Sequence, residues 1–394
     1  MKVTVILAIL LLFNVTAAIG AQETQLSQFE RETNEINMQL LNTASLDEVN
    51  QFIAKANREL HKDLPLLSAQ TLANIAANGL NTDWKQLWQS IMMLFIKETT
   101  ANLHLMGKLL FLAVLCALLQ NLQNSFENSS ISLLSYSTCF IFLTVIALTA
   151  FYNALDMVRQ TVSTIVNFME ALLPLLLSLL AGMGAFTSAA LFTPLMLFVV
   201  SSVSILIKDV ILPLIFLTGV LECVNYFSDK YRVGNLAGIF KQMSVVTLCL
   251  TLVLFIGFIT IQGVAGGVAD GLALRTAKFA TTTFVPVVGK MFADTIELVA
   301  GASLLMKNAI GIFGVITILV LCALPLVKLI SLIFVIKIAG ALVQPMGDEK
   351  MAKCLDGIGN NLWLVFGALS TVVLMLFLAI TMIVGAGSMA LMLR

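Results

Sequence analysis

The chain has 394 residues, of which 59% are hydrophobic and only 11% are charged, and its mean hydropathy is +0.99. Soluble proteins are about 45–50% apolar and about 25% charged, so this composition excludes a soluble fold and predicts an integral membrane protein. Bases and acids number 22 each, which argues against a nucleic-acid-binding protein because such proteins carry a basic excess.

Residues 1–20 have the pattern of a secretory signal peptide. Lys2 precedes the apolar run 3–15, and small residues occupy the −3 and −1 positions of a cleavage site after Gly20. The alternative is a retained membrane anchor, although the run is shorter than the roughly 20 residues that a spanning helix needs.

Residues 21–102 have the composition of a soluble segment, with ten acids against six bases and therefore a net charge of −4. Apolar side chains recur at helical spacing, and Ser45 with Glu48 has the form of a capping box. We expect a small helical segment outside the cytoplasm that contacts partner proteins. An inert, solvated spacer is the alternative.

Residues 103–394 contain long uncharged apolar runs, which predict a polytopic, all-α transmembrane domain. Lys230, Arg232 and Lys241 follow the fifth run and indicate a cytoplasmic loop, in agreement with five crossings from an external N-terminal segment. Hydropathy supports seven to nine spanning helices. The candidate spans are residues 103–122, 131–152, 166–184, 189–207, 210–227, 245–267, 309–327, 329–343 and 362–385.

The transmembrane domain has the pattern of a tandem repeat. Pro174 and Pro286 are 112 positions apart, as are Pro213 and Pro325, and a Leu-x-Gly-Ile motif recurs 119 positions apart. Duplicated halves with interrupted hydrophobic segments are typical of transporters and pores whose pathway lies at the repeat interface. The alternatives are chance recurrence and prolines that only bend packed helices. The predicted copies are residues 163–267 and 275–387.

The central block, residues 263–308, is too polar for a simple span and too apolar for a loop. Its apolar residues suit amphipathic helices broken at Pro286 and Gly289. Such a block either lies in the membrane interface or is a re-entrant segment that lines a polar cavity. Because its charges are of mixed sign, we favour a buried or partner-facing role.

Three stretches of this block closely resemble the stage III sporulation protein AE family. Residues 273–280 read ALRTAKFA, residues 284–289 read FVPVVG, and residues 297–311 read ELVAGASLLMKNAIG. The order of signal sequence, polar helical segment and hydrophobic body is also similar to the family's layout.

The resemblance implies a protein of endospore-forming bacteria that works in a secretion-like channel complex between mother cell and forespore. It implies a location in the mother-cell membrane around the forespore. It also implies partners encoded with it, namely ring-forming membrane proteins and a secretion-type ATPase, and a channel partner on the forespore side. The family has no established enzymatic activity.

The residues themselves predict no catalytic, metal or cofactor site. His61 and His104 are the two histidines, and the six cysteines form no CxxC pair. The chain also has no P-loop motif, so energy for any transport would come from an ion gradient or a partner ATPase.

Charges within the membrane are the best functional candidates, because each is costly there unless it is paired or hydrated. Glu170 and Glu222 rank first, Lys208 with Asp209 is interpreted as a turn, and Lys328 and Lys337 are expected to reach the interface or face a pore. The full set of candidate structural or gating residues is Glu170, Pro174, Pro213, Glu222, Arg275, Lys278, Pro286, Gly289, Glu297, Lys307 and Pro325.

Five glycines are predicted to let helices approach one another closely within the chain. They are Gly182, Gly184, Gly219, Gly257 and Gly301, and contacts between copies in an oligomer are the alternative.

Three function classes follow from these observations. The first is a non-enzymatic gate or scaffold of the sporulation channel, and the second is a secondary transporter that moves a small solute through the repeat interface. The third, an intramembrane enzyme, lacks a plausible catalytic set.

Overall fold

The computed structural model describes residues 84–123, 129–227, 233–284, 288–346 and 348–392, and within them the regular elements are all helices. This confirms the all-α prediction. The predicted signal peptide, most of the predicted N-terminal segment and Pro286 lie outside the described residues. The helices are α1 (Trp84–Gln123), α2 (Ser129–Gly182), α3 (Phe186–Ile205), a π-helical segment (Leu206–Ile211), α4 (Leu212–Phe227), α5 (Gly234–Phe284), α6 (Val288–Val343), a 3₁₀ turn (Gln344–Met346) and α7 (Glu349–Met392).

Within the described residues, six helical stretches are long and apolar enough to cross a membrane, which makes the chain a multi-pass membrane protein. Several are longer than one crossing requires: the 56 residues of α6 extend about 84 Å at 1.5 Å per residue, whereas the hydrocarbon core is about 30 Å thick. The six stretches are Ile91–Leu118, Leu134–Gly182, Phe186–Phe227, Gly234–Asp270, Ser303–Val343 and Glu349–Ala386.

The described residues therefore contain fewer and longer spanning helices than the seven to nine predicted. Polar residues that separate two apolar runs do not end the helix, because the backbone hydrogen bonds continue through them. Pro174 and Pro325 likewise lie inside α2 and α6 without breaking them. Of the three bases predicted to lie in a cytoplasmic loop, Lys241 lies on α5, which corrects the prediction, and Lys230 and Arg232 lie outside the described residues. Three long stretches, not five, precede these bases; because three is also an odd number of crossings, the predicted cytoplasmic side of this segment is unchanged.

The prediction of a turn at Lys208 and Asp209 is wrong, since both lie in the π-helical segment between α3 and α4. Here the amide of Leu212 donates to Ile207 O, five residues back. The next amide in this pattern would belong to Pro213, which has no N–H to offer Lys208 O. Arg159 of α2 supplies the donor instead, with its Nη2 2.9 Å from Lys208 O.

Helix α7 occupies the centre of the bundle. It packs against α2, α3, α4, α5 and α6, whereas α1 packs mainly on α6 and α2. Half of the apolar window of α7 is buried, against 17% for those of α1 and α5. At its N-terminus Asp348 accepts a hydrogen bond from the amide of Met351 at 3.0 Å and another from Tyr136 of α2 at 3.2 Å.

The central block forms the end of α5 and the start of α6. Helix α5 ends at Phe284 and α6 begins at Val288, which agrees with the predicted break near Pro286. Both described charged side chains of the block, Asp270 and Lys307, are buried, at 1% and 0% exposure. Arg275 and Lys278 lie on α5, and Gly289 and Glu297 lie on α6.

Some of the five glycines lie where another helix comes close and others do not, so the predictions for them have different outcomes. A Cβ at Gly182 would lie 3.0 Å from Ser303 Oγ, and one at Gly219 would lie 2.6 Å from the ring of Phe151, so both residues allow close packing. Gly184 has a φ of 87°, which favours glycine, at the turn between α2 and α3. For Gly257 and Gly301 the prediction is wrong, because a Cβ there would meet no atom within 4 Å.

Gly219→Ala is expected to lower the free energy of unfolding by about 1–3 kcal/mol, because the buried Phe151 ring must shift to admit the methyl group. The matched variant Gly257→Ala should be neutral or stabilising by about 0.5–1 kcal/mol through helix propensity. Thermal denaturation of the purified protein in detergent measures both. Equal effects of the two variants would contradict the packing described here.

Candidate functional site

In the part of the chain that the structure describes, polar contacts between helices gather around the N-terminal part of α7. Glu222 of α4 lies 3.3 Å from Lys241 Nζ of α5 through its Oε1. Its other oxygen, Oε2, accepts a hydrogen bond from Asn361 Nδ2 of α7 at 2.8 Å. Gly357 makes room for this carboxylate, since a Cβ there would lie 2.8 Å from Oε2. Glu222 is thus bonded to two other helices.

A second set of contacts lies beside the first on α7. Lys337 of α6 donates to Asp356 Oδ1 at 2.5 Å and to Asn360 Oδ1 at 2.7 Å. Gly359 is packed against the methylenes of this lysine, because a Cβ there would lie 2.9 Å from Lys337 Cε. Gly357 and Gly359 point about 200° apart around α7 at 100° per residue, so α4 and α6 press on nearly opposite sides of the helix.

The two sets match each other in sequence as well as in space. Glu222 and Lys241 are 19 residues apart, and so are Lys337 and Asp356, which lie 115 positions later with the charges exchanged. Each pair joins the two helices of one hairpin, α4 with α5 and α6 with α7. We call these eight residues the charge cluster: Glu222, Lys241, Lys337, Asp356, Gly357, Gly359, Asn360 and Asn361.

The offset of 115 bears on the predicted repeat. It differs from the 112 of the proline pairs and the 119 of the Leu-x-Gly-Ile motif by three and four residues. Because a helical turn has 3.6 residues, such shifts keep matched residues on similar faces but move them by about one turn. The repeat therefore stays a prediction, to which the matched ion pairs add support.

Glu170, the other carboxylate ranked first from sequence, lies apart from the charge cluster. Its Oε1 accepts a hydrogen bond from Ser201 Oγ of α3 at 2.7 Å. Of the two lysines expected to reach the interface or a pore, Lys337 belongs to the charge cluster, and Lys328 Nζ lies 4.0 Å from Glu98 Oε1 of α1.

Glu170→Gln is expected to leave the fold intact, since the amide oxygen can still accept from Ser201, and to lower spore yield by removing the charge. The measurement compares heat-resistant spores and protein level in an endospore-forming host whose own copy is deleted. Ser201→Ala serves as the matched control for loss of the hydrogen bond alone. A normal yield for Glu170→Gln would argue against a charge-dependent role.

Asp270 is a buried carboxylate that caps another helix. Its oxygens accept hydrogen bonds from the amide of Thr187 at 2.9 Å and from that of Ser188 at 3.1 and 3.2 Å. These amides belong to the first turn of α3, where the helix dipole favours a negative charge. Gly266, one turn earlier on α5, brings the two helices together, because a Cβ there would overlap Ser188 Oγ.

Lys307 of α6 is fully buried, and its Nζ has no hydrogen-bond partner among the described residues. It lies one turn from Ser303, which contacts α2 at Gly182. A buried ammonium group without a partner destabilises a fold, so a position that keeps one is a candidate for function.

Lys307→Met keeps the length of the side chain and removes its charge. We expect the free energy of unfolding to rise by about 1 kcal/mol and spore yield to fall. Thermal denaturation and spore counts measure the two effects, with Lys328→Met as the control, since that lysine side chain is 40% exposed. A loss of stability would instead mean that the ammonium is bonded within the folded protein.

The sequence pattern indicates Glu222, Lys241 and Lys337. It does not indicate Asn361, which binds Glu222, or Asp356 and Asn360, which bind Lys337. Asn360, Asn361 and Asp356 were missed because they lie among polar residues at the start of α7, outside any apolar run. The repeated separation of 19 residues between opposite charges, displaced by 115 positions, is the signal that could have found them.

The sequence model of a family described as Stage III sporulation protein AE matches residues 67–387. A Bacillus subtilis (strain 168) protein named Stage III sporulation protein AE is 39% identical over 318 residues, which cover 80% of each chain. No solved structure matches.

Proposed function

The chain belongs to the stage III sporulation protein AE family, and we propose that it acts as a non-enzymatic gate or scaffold in the membrane complex between mother cell and forespore. In this proposal it lies in the mother-cell membrane around the forespore with its N-terminal segment outside the cytoplasm. Ring-forming membrane proteins, a secretion-type ATPase and a forespore-side channel protein are its partners.

The observation that carries the proposal is the charge cluster. Its polar groups join helices to one another: Glu222 and Lys337 bind α7 from two hairpins. Polar contacts between packed helices favour one arrangement of those helices, as a scaffold requires. These contacts are also few and partly exposed, with side-chain exposures of 18% for Glu222 and 29% for Lys337. A partner protein that competes for these two side chains can therefore release α7, as a gate requires.

Two experiments test the proposal against a secondary transporter. The full chain is purified from sporulating cells to identify what accompanies it, and is reconstituted alone in vesicles with a proton or sodium gradient. We expect copurification with the ring proteins and the ATPase and no solute flux. Gradient-driven flux by the chain alone, without copurification, would overturn the proposal in favour of the transporter.

A further inference from the structure

The exposed face of α2 carries polar side chains through the middle of a helix that crosses the membrane. Within Leu134–Gly182, five polar residues separated by three, four or seven positions lie on one face, and all five are exposed. We call this face the polar stripe: Thr149, Asn153, Asp156, Gln160 and Asn167.

The polar stripe is too long to fit within one headgroup layer of the membrane. From Thr149 to Asn167 it extends about 27 Å at 1.5 Å per residue, close to the thickness of the hydrocarbon core, whereas one headgroup layer is only about 5–8 Å thick. Large apolar side chains follow the same face toward the N-terminus, where Phe142 is 58% and Val145 54% exposed.

Apolar side chains are also exposed at the same height on the neighbouring helix. Arg159, beside the polar stripe, bonds to Lys208 O and so lies level with the π-helical segment. On either side of Lys208 along the chain, Ile205 is 58% and Val210 43% exposed, and Asp209 between them is exposed as well. At the level of the polar stripe the neighbouring helix therefore exposes large apolar side chains beside a charged one.

Lipid is an unfavourable neighbour for the polar stripe itself. An aspartate at the centre of a spanning helix costs about 2.5–3.5 kcal/mol on insertion scales, and amides add to this. Local bonds satisfy some groups: Gln160 Nε2 donates to Asp156 Oδ2 at 2.8 Å, and Thr149 Oγ1 donates to Val145 O at 2.7 Å. Because the amide of Gln160 is neutral, its bond brings no opposite charge to Asp156 and does not remove the need for hydration.

The polar stripe continues into an open groove between α1 and α2 of about 380 Å³. Thr149 and Asn153 line it on the α2 side, and His104 and Lys108 line it on the α1 side. A volume of this size holds on the order of ten waters at about 30 Å³ each. The four polar side chains offer the waters partners, although apolar residues make up the rest of the lining.

We propose that the polar stripe and this groove face water within the membrane and form one wall of an aqueous path for small hydrophilic solutes. The inference rests on the proposed membrane role in the sporulation complex and names the face that such a path would use. The other walls come from further protein, because lipid cannot close an aqueous path.

Cysteine accessibility tests this wall in the full chain in open membrane fragments from sporulating cells, where reagent reaches both aqueous sides. Single variants Asn153→Cys, Gln160→Cys and Asn167→Cys are treated with a membrane-impermeant, positively charged methanethiosulfonate. The native cysteines serve as background, since Cys249 lies on the apolar exposed surface of α5 and the other five are buried. Val253→Cys, at a position 65% exposed on α5, is the matched lipid-facing control.

We expect complete labelling of the three variants of the polar stripe and none of Val253→Cys or the wild-type chain. A membrane-permeant maleimide that labels all four variants, when the charged reagent labels none, would overturn the proposal. Oxidation that links two copies through Gln160→Cys without labelling would also overturn it, in favour of a contact between copies. Labelling does not require any partner protein to be identified, so it can succeed when copurification fails. The aqueous wall and the gate or scaffold function can therefore be overturned independently.

Discussion

Glu222→Lys is expected to abolish spore formation and to lower the free energy of unfolding by about 2 kcal/mol. The new ammonium group faces the ammonium group of Lys241. In addition, Asn361 Nδ2 loses the carboxylate that accepts its hydrogen bond. Removing one partner from a fully buried pair costs about 3–5 kcal/mol. The loss expected here is smaller than this range, because the Lys241 side chain is 36% exposed and can turn toward water. Spore counts and thermal denaturation in detergent measure the two effects.

The double variant Glu222→Lys, Lys241→Glu should recover most of both losses. It restores the pair with exchanged charges, the arrangement that Lys337 and Asp356 already have. Asn361 Oδ1, which has no donor among the described residues, can then accept from the new lysine. A double variant no better than Glu222→Lys would show that the carboxylate at 222 is needed for more than pairing.

Asp270→Ala is expected to destabilise the protein by about 2 kcal/mol and to reduce its level in the membrane. The first-turn amides of Thr187 and Ser188 lose their acceptor in a buried site, where each unsatisfied donor costs about 1–3 kcal/mol. Loss of a helix cap alone costs about 0.5–2 kcal/mol. Immunoblots of membranes and thermal denaturation provide the measurements.

Two further variants separate the cap from the charge. Asp270→Asn keeps an acceptor oxygen and should lose less than half as much stability as Asp270→Ala. Glu349→Ala, at a side chain that is 72% exposed in a surface pair with Lys353, should change stability by less than about 0.5 kcal/mol. If Asp270→Ala behaved like Glu349→Ala, the cap would not contribute to the fold.

The class of fold follows from hydropathy, because a chain this apolar must satisfy its backbone hydrogen bonds within each spanning segment. The residues at which helices begin and end are harder to predict from hydropathy. Lys208 and Asp209 are the charges expected to end a helix, yet Arg159 replaces the donor that Pro213 lacks and the helix continues. That compensation comes from a residue 49 positions away, which local pattern cannot reveal.

The candidate site could likewise be predicted from the sequence only in part. The cost of an intramembrane charge singles out Glu222, but its bond to Asn361 joins residues 139 positions apart and depends on how three helices pack. Gly257 and Gly301 show the reverse error, since small size permits a close approach without creating one. Composition predicts which residues need partners, and tertiary packing decides which partners they have.

The short separation within each ion pair has a consequence for how the chain enters the membrane. Glu222 and Lys241 are 19 residues apart, so the hairpin of α4 and α5 can insert with both charges already neutralised. The hairpin of α6 and α7 can do the same through Lys337 and Asp356. The bond from Asn361 to Glu222 must wait for the last helix. Biogenesis would then proceed by two self-contained hairpins whose joining around α7 is the final step.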